Sequence, residues 1–126
     1  MDPNFHGIFP YLVSPLNEDG SVREEALRRL VEHLICCGVH GLTPLGSTGE
    51  FFYLSWDQKK EIVRIVVDQT AGRVPVVAGV GCSSAWESVR QAKELEQMGV
   101  DGILSVLTVY FPLGQKEIYR YFSETA

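Results

Sequence analysis

The stretch Val74–Leu107, VPVVAGVGCSSAWESVRQAKELEQMGVDGILSVL, decides the fold of this 126-residue chain. It opens with an apolar run typical of a buried strand and closes with a second such run at 100–107. Between the runs, Ser84 followed three residues later by Glu87 forms a capping-box pattern, and apolar residues at helical spacing come next. Strand, helix and strand in this order predict a βαβ unit with parallel strands.

The same alternation extends toward both ends of the chain. Apolar, β-rich runs predict four strands, at 7–13, 39–45, 74–80 and 100–107. Capping-box patterns predict three helix starts, at Ser21–Glu24, Ser55–Gln58 and Ser84–Glu87, and we expect a fourth helix from near Gln115. Glycines typical of helix ends follow the first three helices, at Gly38, Gly72 and Gly99.

Two α/β architectures accommodate four βα units. One is an open, doubly wound sheet of the flavodoxin type, which suits a chain of this length. The other is part of a (β/α)8 TIM barrel, which needs roughly 250 residues when complete. The fourth helix has no glycine, asparagine or proline stop signal before Ala126, which favours the barrel. The repeating pattern alone leaves both architectures open.

Composition narrows the classes of function. The chain is 45% hydrophobic, enough for a buried core, and its formal net charge of −5 argues against binding a nucleic-acid backbone. No apolar run approaches the roughly 20 residues of a membrane span, and the first residues lack the pattern of a signal peptide. We therefore expect a cytoplasmic protein with neither a nucleic-acid nor a membrane partner.

Cysteine and histidine spacing predicts no bound metal. The three cysteines are odd in number and form no C-x-x-C motif, so we expect buried, apolar thiols in a reducing compartment at Cys36, Cys37 and Cys82. The three histidines also lack metal-ligand spacing. No pattern for a cofactor is present, and we expect none.

Ligands of both architectures bind at the carboxyl ends of the strands, where the loop Gly46–Glu50, GSTGE, is expected to lie. Its glycines allow close approach of a ligand, and the hydroxyls of Ser47 and Thr48 with free N–H groups suit a carboxylate. An ordinary βα turn with self-satisfied hydroxyls remains the alternative. Tyr110, just beyond the fourth strand, is a candidate proton relay or a packing residue.

None of the lysines has the setting of a Schiff-base nucleophile, which projects from a strand into a desolvated pocket. All four fall on polar faces or starts of predicted helices: Lys59, Lys60, Lys93 and Lys116. Asp101 begins a strand, at the end opposite to ligands, and is interpreted as structural.

These residues together resemble the N-terminal part of the dihydrodipicolinate synthase / N-acetylneuraminate lyase family. The matching segments run in the family's order over nearly the whole chain: GIFPYLVSP at 7–15, GSTGE at 46–50, VPVVAGVG at 74–81, GVDGILSV at 99–106 and the tyrosine at 110. The resemblance implies a (β/α)8 barrel in a homo-oligomer, a dimer or tetramer. It implies class I aldolase chemistry, in which a lysine forms a Schiff base with pyruvate or another 2-oxo acid and the enamine reacts with an aldehyde.

Carried over by position, the resemblance implies that Ser47 and Thr48 bind the pyruvate carboxylate and that Tyr110 belongs to a proton relay reaching a neighbouring subunit. The family's Schiff-base lysine, on the sixth strand, and its main catalytic tyrosine, on the fifth, have no counterpart before Ala126. The family's Pro-Tyr-Tyr is Thr-Val-Tyr here, at 108–110. Residues 1–126 are therefore expected to form the N-terminal half of a single barrel domain.

Two other functions stay open at this point. A catalytically inactive half-barrel would assemble with itself or with another chain, because open strand edges seek partners. A flavodoxin-like binding module is the other alternative, although the chain has neither a phosphate-binding loop nor a receiver-type acidic cluster near its first strand.

Overall fold

Four helices, two parallel strands and two extended segments with single parallel bridges make up residues 5–126, the part of the chain that the computed structural model describes. In chain order the elements are α1 (Glu24–Cys36), α2 (Trp56–Thr70), β1 (Val77–Cys82), α3 (Ala85–Gln97), β2 (Gly102–Leu107) and α4 (Gln115–Thr125). Two short 3-10 turns, Ser47–Gly49 and Phe51–Tyr53, precede α2. Among these described elements, no helix combines the length and apolarity that crossing a membrane requires.

The βαβ unit expected at the centre of the chain is confirmed. Strand β1 pairs in parallel with β2, with Val77 opposite Gly102 and Cys82 opposite Leu107. The Asp101 carboxylate accepts the N–H of Val76 at 2.8 Å, and the Asp101 N–H donates to the carbonyl of Val76 at 2.8 Å. Asp101 thus fixes the register at the start of both strands, the structural role expected for it.

The two N-terminal apolar runs form isolated bridges, where the sequence predicted full strands. Tyr11 bridges Thr43 in parallel, and Leu42 bridges Val76 in parallel. Both runs contain a proline, Pro10 or Pro44, which has no N–H to donate to a ladder. The 7–13 and 39–45 segments, called here the first and second runs, are therefore joined by a few backbone hydrogen bonds and one bridge to each neighbour rather than by a continuous ladder.

The order of these parallel segments distinguishes the two architectures. It is first run, second run, β1 and β2, which is the chain order. A doubly wound sheet reverses its strand order partway, whereas a barrel keeps chain order. Helices that are consecutive in the sequence also contact each other in space. Arg28 on α1 pairs with Asp68 on α2 at 2.6 Å, and Trp56 on α2 donates to Glu94 on α3 at 3.0 Å. The fold is a partial (β/α)8 barrel, and the flavodoxin-like alternative is excluded.

The core lies between the strands and the helices. Alternate residues of β1 and its approach point toward the helix layer and are almost fully buried: Val76, Ala78, Val80 and Cys82. Leu27 and Val31 of α1, and Ile62 and Val66 of α2, are equally buried. The amphipathic helices therefore cover the outer face of the sheet, as in a barrel.

Only one of the three predicted capping boxes forms completely. Ser55 accepts the N–H of Gln58 at 3.2 Å, and the Gln58 side chain accepts the N–H of Ser55 at 2.8 Å. Ser84 caps α3 at 3.5 Å, but the Glu87 carboxylate turns to Arg90.

The capping box predicted at Ser21 is wrong. The Asp19 carboxylate accepts both the N–H and the hydroxyl of Ser21, at 2.9 and 2.6 Å. Val22 then forms an antiparallel bridge with Leu16. Both interactions keep this segment extended, and α1 begins only at Glu24.

We predict that Ser55→Ala lowers the free energy of unfolding by about 1 kcal/mol, because it removes an N-cap acceptor. Ser21→Ala is the matched control, and its effect is expected to stay within about 0.5 kcal/mol, since an exposed turn hydroxyl contributes little. Urea denaturation of both variants measures the difference. Equal losses for the two serines would contradict the assignment of the cap.

A close backbone contact joins the second run to β1. The carbonyl oxygen of Leu45 lies 1.9 Å from the position that a β-carbon on Gly79 would occupy. Leu45 is itself almost fully buried and has a left-handed φ of 62°. Any side chain at position 79 would push away the backbone that leads into the loop Gly46–Glu50.

We predict that Gly79→Ala destabilises the protein by about 1–3 kcal/mol, the usual range for overpacking a rigid site. Gly102→Ala, on the neighbouring strand, is the control, because its added methyl would meet the half-exposed Phe5 ring at 3.0 Å and Val77 Cγ2 at 3.5 Å, both side chains rather than backbone. Its effect is expected to be within about 0.5 kcal/mol. Thermal unfolding followed by circular dichroism distinguishes them, and a tolerated Gly79→Ala would refute the contact.

Candidate functional site

The loop Gly46–Glu50 lies at the carboxyl end of the second run. Its backbone closes a 3-10 turn, in which Gly49 donates to the carbonyl of Gly46 and Glu50 to that of Ser47, both at 3.0 Å. Ser47 and Thr48 are exposed, whereas the flanking glycines are buried. The turn thus buries its backbone and presents two adjacent hydroxyl side chains to solvent.

The first run holds this loop from one side. Ser14 donates its hydroxyl to the carbonyl of Gly49 at 2.7 Å. A β-carbon on Gly49 would lie 2.8 Å from the carbonyl oxygen of Leu12, and one on Gly46 would lie 2.2 Å from the Tyr11 ring. Both glycines of the motif therefore serve close packing, and Ser14 acts as a positioning residue.

Glu50 orients the chain through its backbone. It has a left-handed φ of 52° and joins the two consecutive 3-10 turns, and its carbonyl accepts the N–H of Tyr53 at 2.9 Å. Its side chain is exposed. This backbone conformation turns the chain from the first 3-10 turn into the second.

Tyr110 follows β2 at the same end of the sheet as the loop. Its ring is 91% exposed and packs edge to face on Phe111, with ring centroids 4.9 Å apart. Within residues 5–126, no hydrogen bond joins Tyr110 to Ser47 or Thr48. The structure thus places the three predicted site residues at one end of the sheet but leaves Tyr110 on the surface. By contrast, Tyr121 is buried and donates to the carbonyl of Val106 at 3.2 Å, a packing role.

The aromatic ring of Tyr11 contacts the loop. In the sequence, the only indication that Tyr11 lies near the site is its position close to the end of a predicted strand. It is half exposed, and its ring covers Gly46. The ring therefore packs against the start of the loop, at the glycine that precedes Ser47.

A second group of titratable side chains lies at the carboxyl end of β1. Burial raises the pKa of the Cys82 thiol, and the nearby Glu87 carboxylate adds to this effect. Burial likewise lowers the pKa of Lys59, whose ammonium lies 5.5 Å from the centre of the Phe51 ring. Hydrogen bonds from Arg90 and then Gln91 lower the pKa of Glu87 to about 2.

The surroundings of Lys59 are thus less polar than its predicted position on the polar face of a helix implied. It projects from α2 rather than from a strand, so it does not meet the requirement for a Schiff-base lysine. The described residues contain no group of three or more histidine, cysteine, aspartate or glutamate side chains that could hold a metal ion.

Comparison with known proteins identifies the family. The model of the dihydrodipicolinate synthetase family matches residues 4–126. The 4-hydroxy-tetrahydrodipicolinate synthase of Acidiphilium cryptum is 42% identical over 122 residues, which are 97% of this chain and 42% of that protein. The chain thus spans less than half the length of this relative.

Solved structures give the same result. The 4-hydroxy-tetrahydrodipicolinate synthase of Methylacidiphilum fumariolicum SolV superposes with a TM-score of 0.92 at 34% identity, over 97% of this chain and 40% of that one. A prophage protein of E. coli K12 from the dihydrodipicolinic acid synthase family, solved with pyruvate, also gives 0.92 at 34% identity, over 97% and 41%. With its chain-ordered parallel segments and its GSTGE loop, this chain belongs to the dihydrodipicolinate synthetase family.

Proposed function

We propose that these residues are the front part of a pyruvate-dependent lyase or synthase of the class I aldolase type. The observation that carries the proposal is the exposed pair of hydroxyls, Ser47 and Thr48, on a loop held rigid from both sides. The E. coli prophage relative, which is solved with pyruvate, supports a 2-oxo acid as the ligand.

The loop offers neutral donors for a carboxylate. The N–H groups of Gly49 and Glu50 are used inside the turn, whereas those of Ser47 and Thr48 have no backbone acceptor within the described residues. Two hydroxyls and two amides would therefore surround one carboxylate without a lysine or arginine. Hydrogen bonds to an ionised group are stronger than those between neutral groups, so such a cradle suffices to orient a small 2-oxo acid.

Tyr110 is proposed as the proton relay. A phenol transfers protons efficiently only where water is excluded and a neighbour takes part. Because 91% of Tyr110 is exposed, this chain neither shields its phenol from water nor supplies a neighbour for proton transfer. Its role in catalysis therefore requires a second subunit that covers it, which agrees with a relay shared across a homo-oligomer.

The Schiff-base lysine is assigned to a part of the barrel outside these residues. Three of the four lysines lie on the surfaces of helices: Lys60 on α2, Lys93 on α3 and Lys116 on α4. The fourth, Lys59, lies over the Phe51 ring in the helix layer. The aldehyde partner and the direction of the reaction would be decided there as well. Cys36 and Cys37 are exposed, so the expectation of buried thiols is wrong for these two, whereas Cys82 is buried. Exposed free thiols support a cytoplasmic location, where such groups stay reduced.

Pyruvate labelled with ¹³C tests the cradle. In an NMR titration of the 126-residue protein, we expect saturable binding, and the double variant Ser47→Ala/Thr48→Val should bind at least about tenfold more weakly. The loss of one hydrogen bond to a charged group accounts for a factor of this size. Ser83→Ala removes an exposed hydroxyl at the end of the next strand and should leave the affinity unchanged.

Two binding results would count against the proposal: a double variant that binds pyruvate as the parent does, and a parent that does not bind it. A separate measurement concerns the lysine. Reduction with cyanoborohydride in the presence of pyruvate should leave the intact mass of the chain unchanged. A pyruvate adduct on any of its four lysines would refute the assignment of the Schiff base to another part of the barrel.

A further inference from the structure

Tyr11 of the first run and Gly46 of the loop are matched in size. A β-carbon at position 46 would overlap Cδ1 of the Tyr11 ring and lie 2.8 Å from Cε1. The two segments that carry these residues are bonded directly, since Leu12 donates to the carbonyl of Thr43 at 3.0 Å. The ring of Tyr11 therefore occupies the place that a side chain at position 46 would take.

The backbone of Gly46 does not itself require glycine. Its φ of −85° and ψ of −174° lie in the extended region, which residues with side chains adopt freely. The left-handed positions that flank it, Leu45 with a φ of 62° and Glu50 with a φ of 52°, are the ones that carry side chains. Glycine at position 46 is thus explained by the ring of Tyr11 and not by the conformation of the chain.

The peptide group between Gly46 and Ser47 carries the first N–H of the carboxylate cradle. The direction of this N–H follows the ψ angle of Gly46, and a glycine without a packed neighbour samples a far wider range of backbone angles than any other residue. The Tyr11 ring restricts that range. A donor that is oriented before the ligand arrives binds it more tightly, because less conformational entropy is lost on binding.

The far end of the loop is held by a second aromatic ring. Phe51 follows Glu50 directly and is buried, and its ring lies against Gly81 of β1, where a β-carbon would come within 2.7 Å of Cζ. Phe51 thus anchors the end of the loop on β1, and Tyr11 holds its start from the first run. Loss of the Tyr11 ring is therefore expected to free the start of the loop and leave its end in place.

We propose that Tyr11 is a positioning residue for the carboxylate site and that positions 11 and 46 are coupled through their size. The ring fixes Gly46, and Gly46 in turn fixes the direction of the Ser47 N–H. This role needs the aromatic ring and not the phenol hydroxyl. The ligand is taken from the proposed function, on which this inference rests, and Tyr11 lies outside the GSTGE motif itself.

The first test is the affinity of the 126-residue protein for ¹³C-labelled pyruvate, measured by NMR titration. Tyr11→Ala should bind about fivefold more weakly or worse, the factor expected when the backbone of one residue must be ordered on binding. Tyr11→Phe keeps the ring and should recover most of that loss. Tyr119→Ala removes a 76% exposed ring on α4 and is the control, with unchanged affinity.

A double variant tests the coupling. Gly46→Ala alone places a methyl group against the ring and should also weaken binding. In Tyr11→Ala/Gly46→Ala the methyl group takes the space that the ring leaves, and alanine has less backbone freedom than glycine, so the double variant should bind more tightly than either single variant. Additive losses at the two positions would overturn the proposal.

Gly49→Ala is the matched control for the double variant. Its methyl group would meet the backbone carbonyl of Leu12 at 2.8 Å and the Ser14 hydroxyl at 3.0 Å, not the Tyr11 ring. Combining it with Tyr11→Ala should therefore rescue nothing. An equal rescue of Gly46→Ala and Gly49→Ala would show a general loosening of the loop and refute the specific coupling.

Backbone ¹⁵N relaxation decides the role of Tyr11 without a ligand. The order parameters of the Gly46 and Ser47 amides should fall in Tyr11→Ala and stay high in Tyr119→Ala. Tyr11→Leu, which keeps apolar bulk without a flat ring, replaces Tyr11→Ala if the latter does not fold, and the same fall is expected. Unchanged order parameters would overturn the proposal. A parent protein that does not bind pyruvate would refute the proposed function alone, whereas a parent and a Tyr11→Ala variant that bind it equally would refute only the role of Tyr11.

Discussion

The carbonyl oxygen of Leu45 lies where a β-carbon on Gly79 would be, and the rest of the site depends on this contact. It sets the distance between the second run and β1 at the end of the sheet where ligands bind. It also holds Leu45 in a left-handed conformation, from which the chain turns into Gly46–Glu50. Such a conformation costs free energy for a residue with a side chain, and the nearly complete burial of Leu45 offsets that cost.

This constraint explains why a loop of small residues can act as a binding site. Gly46 and Gly49 pack against Tyr11 and Leu12, and Ser14 ties the loop to the first run. Rigid support means that little conformational entropy remains to be lost when a ligand binds. Donors without net charge then become adequate for a carboxylate.

The chain order of the parallel segments also determines what lies on the inner face of the sheet, opposite the helices. Parallel segments in chain order form one curved sheet, and their inner side chains point toward the barrel axis. Four segments make up only part of the closed sheet. The helices cover most of the outer face, and Leu27, Ile65 and Leu95 have no measurable exposure. In a complete (β/α)8 barrel, further strands cover the inner face.

The sequence by itself determined the alternation of helices and strands, because 3.6-residue and buried-strand patterns are local properties of side chains. It also identified the GSTGE loop and its hydroxyls. The start of α1 was missed, since Asp19 and the bridge from Leu16 to Val22 compete with Ser21 for the same backbone. Local sequence patterns do not show which of several possible partners a backbone N–H will bond.

The repeating pattern did not distinguish a barrel from a doubly wound sheet; the family resemblance implied the barrel. Only the tertiary structure showed the order of the strands, because that order is a set of long-range pairings that leaves no periodic signal. It also decided the roles of single residues: Ser14 as a support, Tyr110 as a surface residue and Lys59 as a half-buried one. Exposure and neighbours depend on where distant segments meet, and that is fixed by packing rather than by any one stretch of sequence.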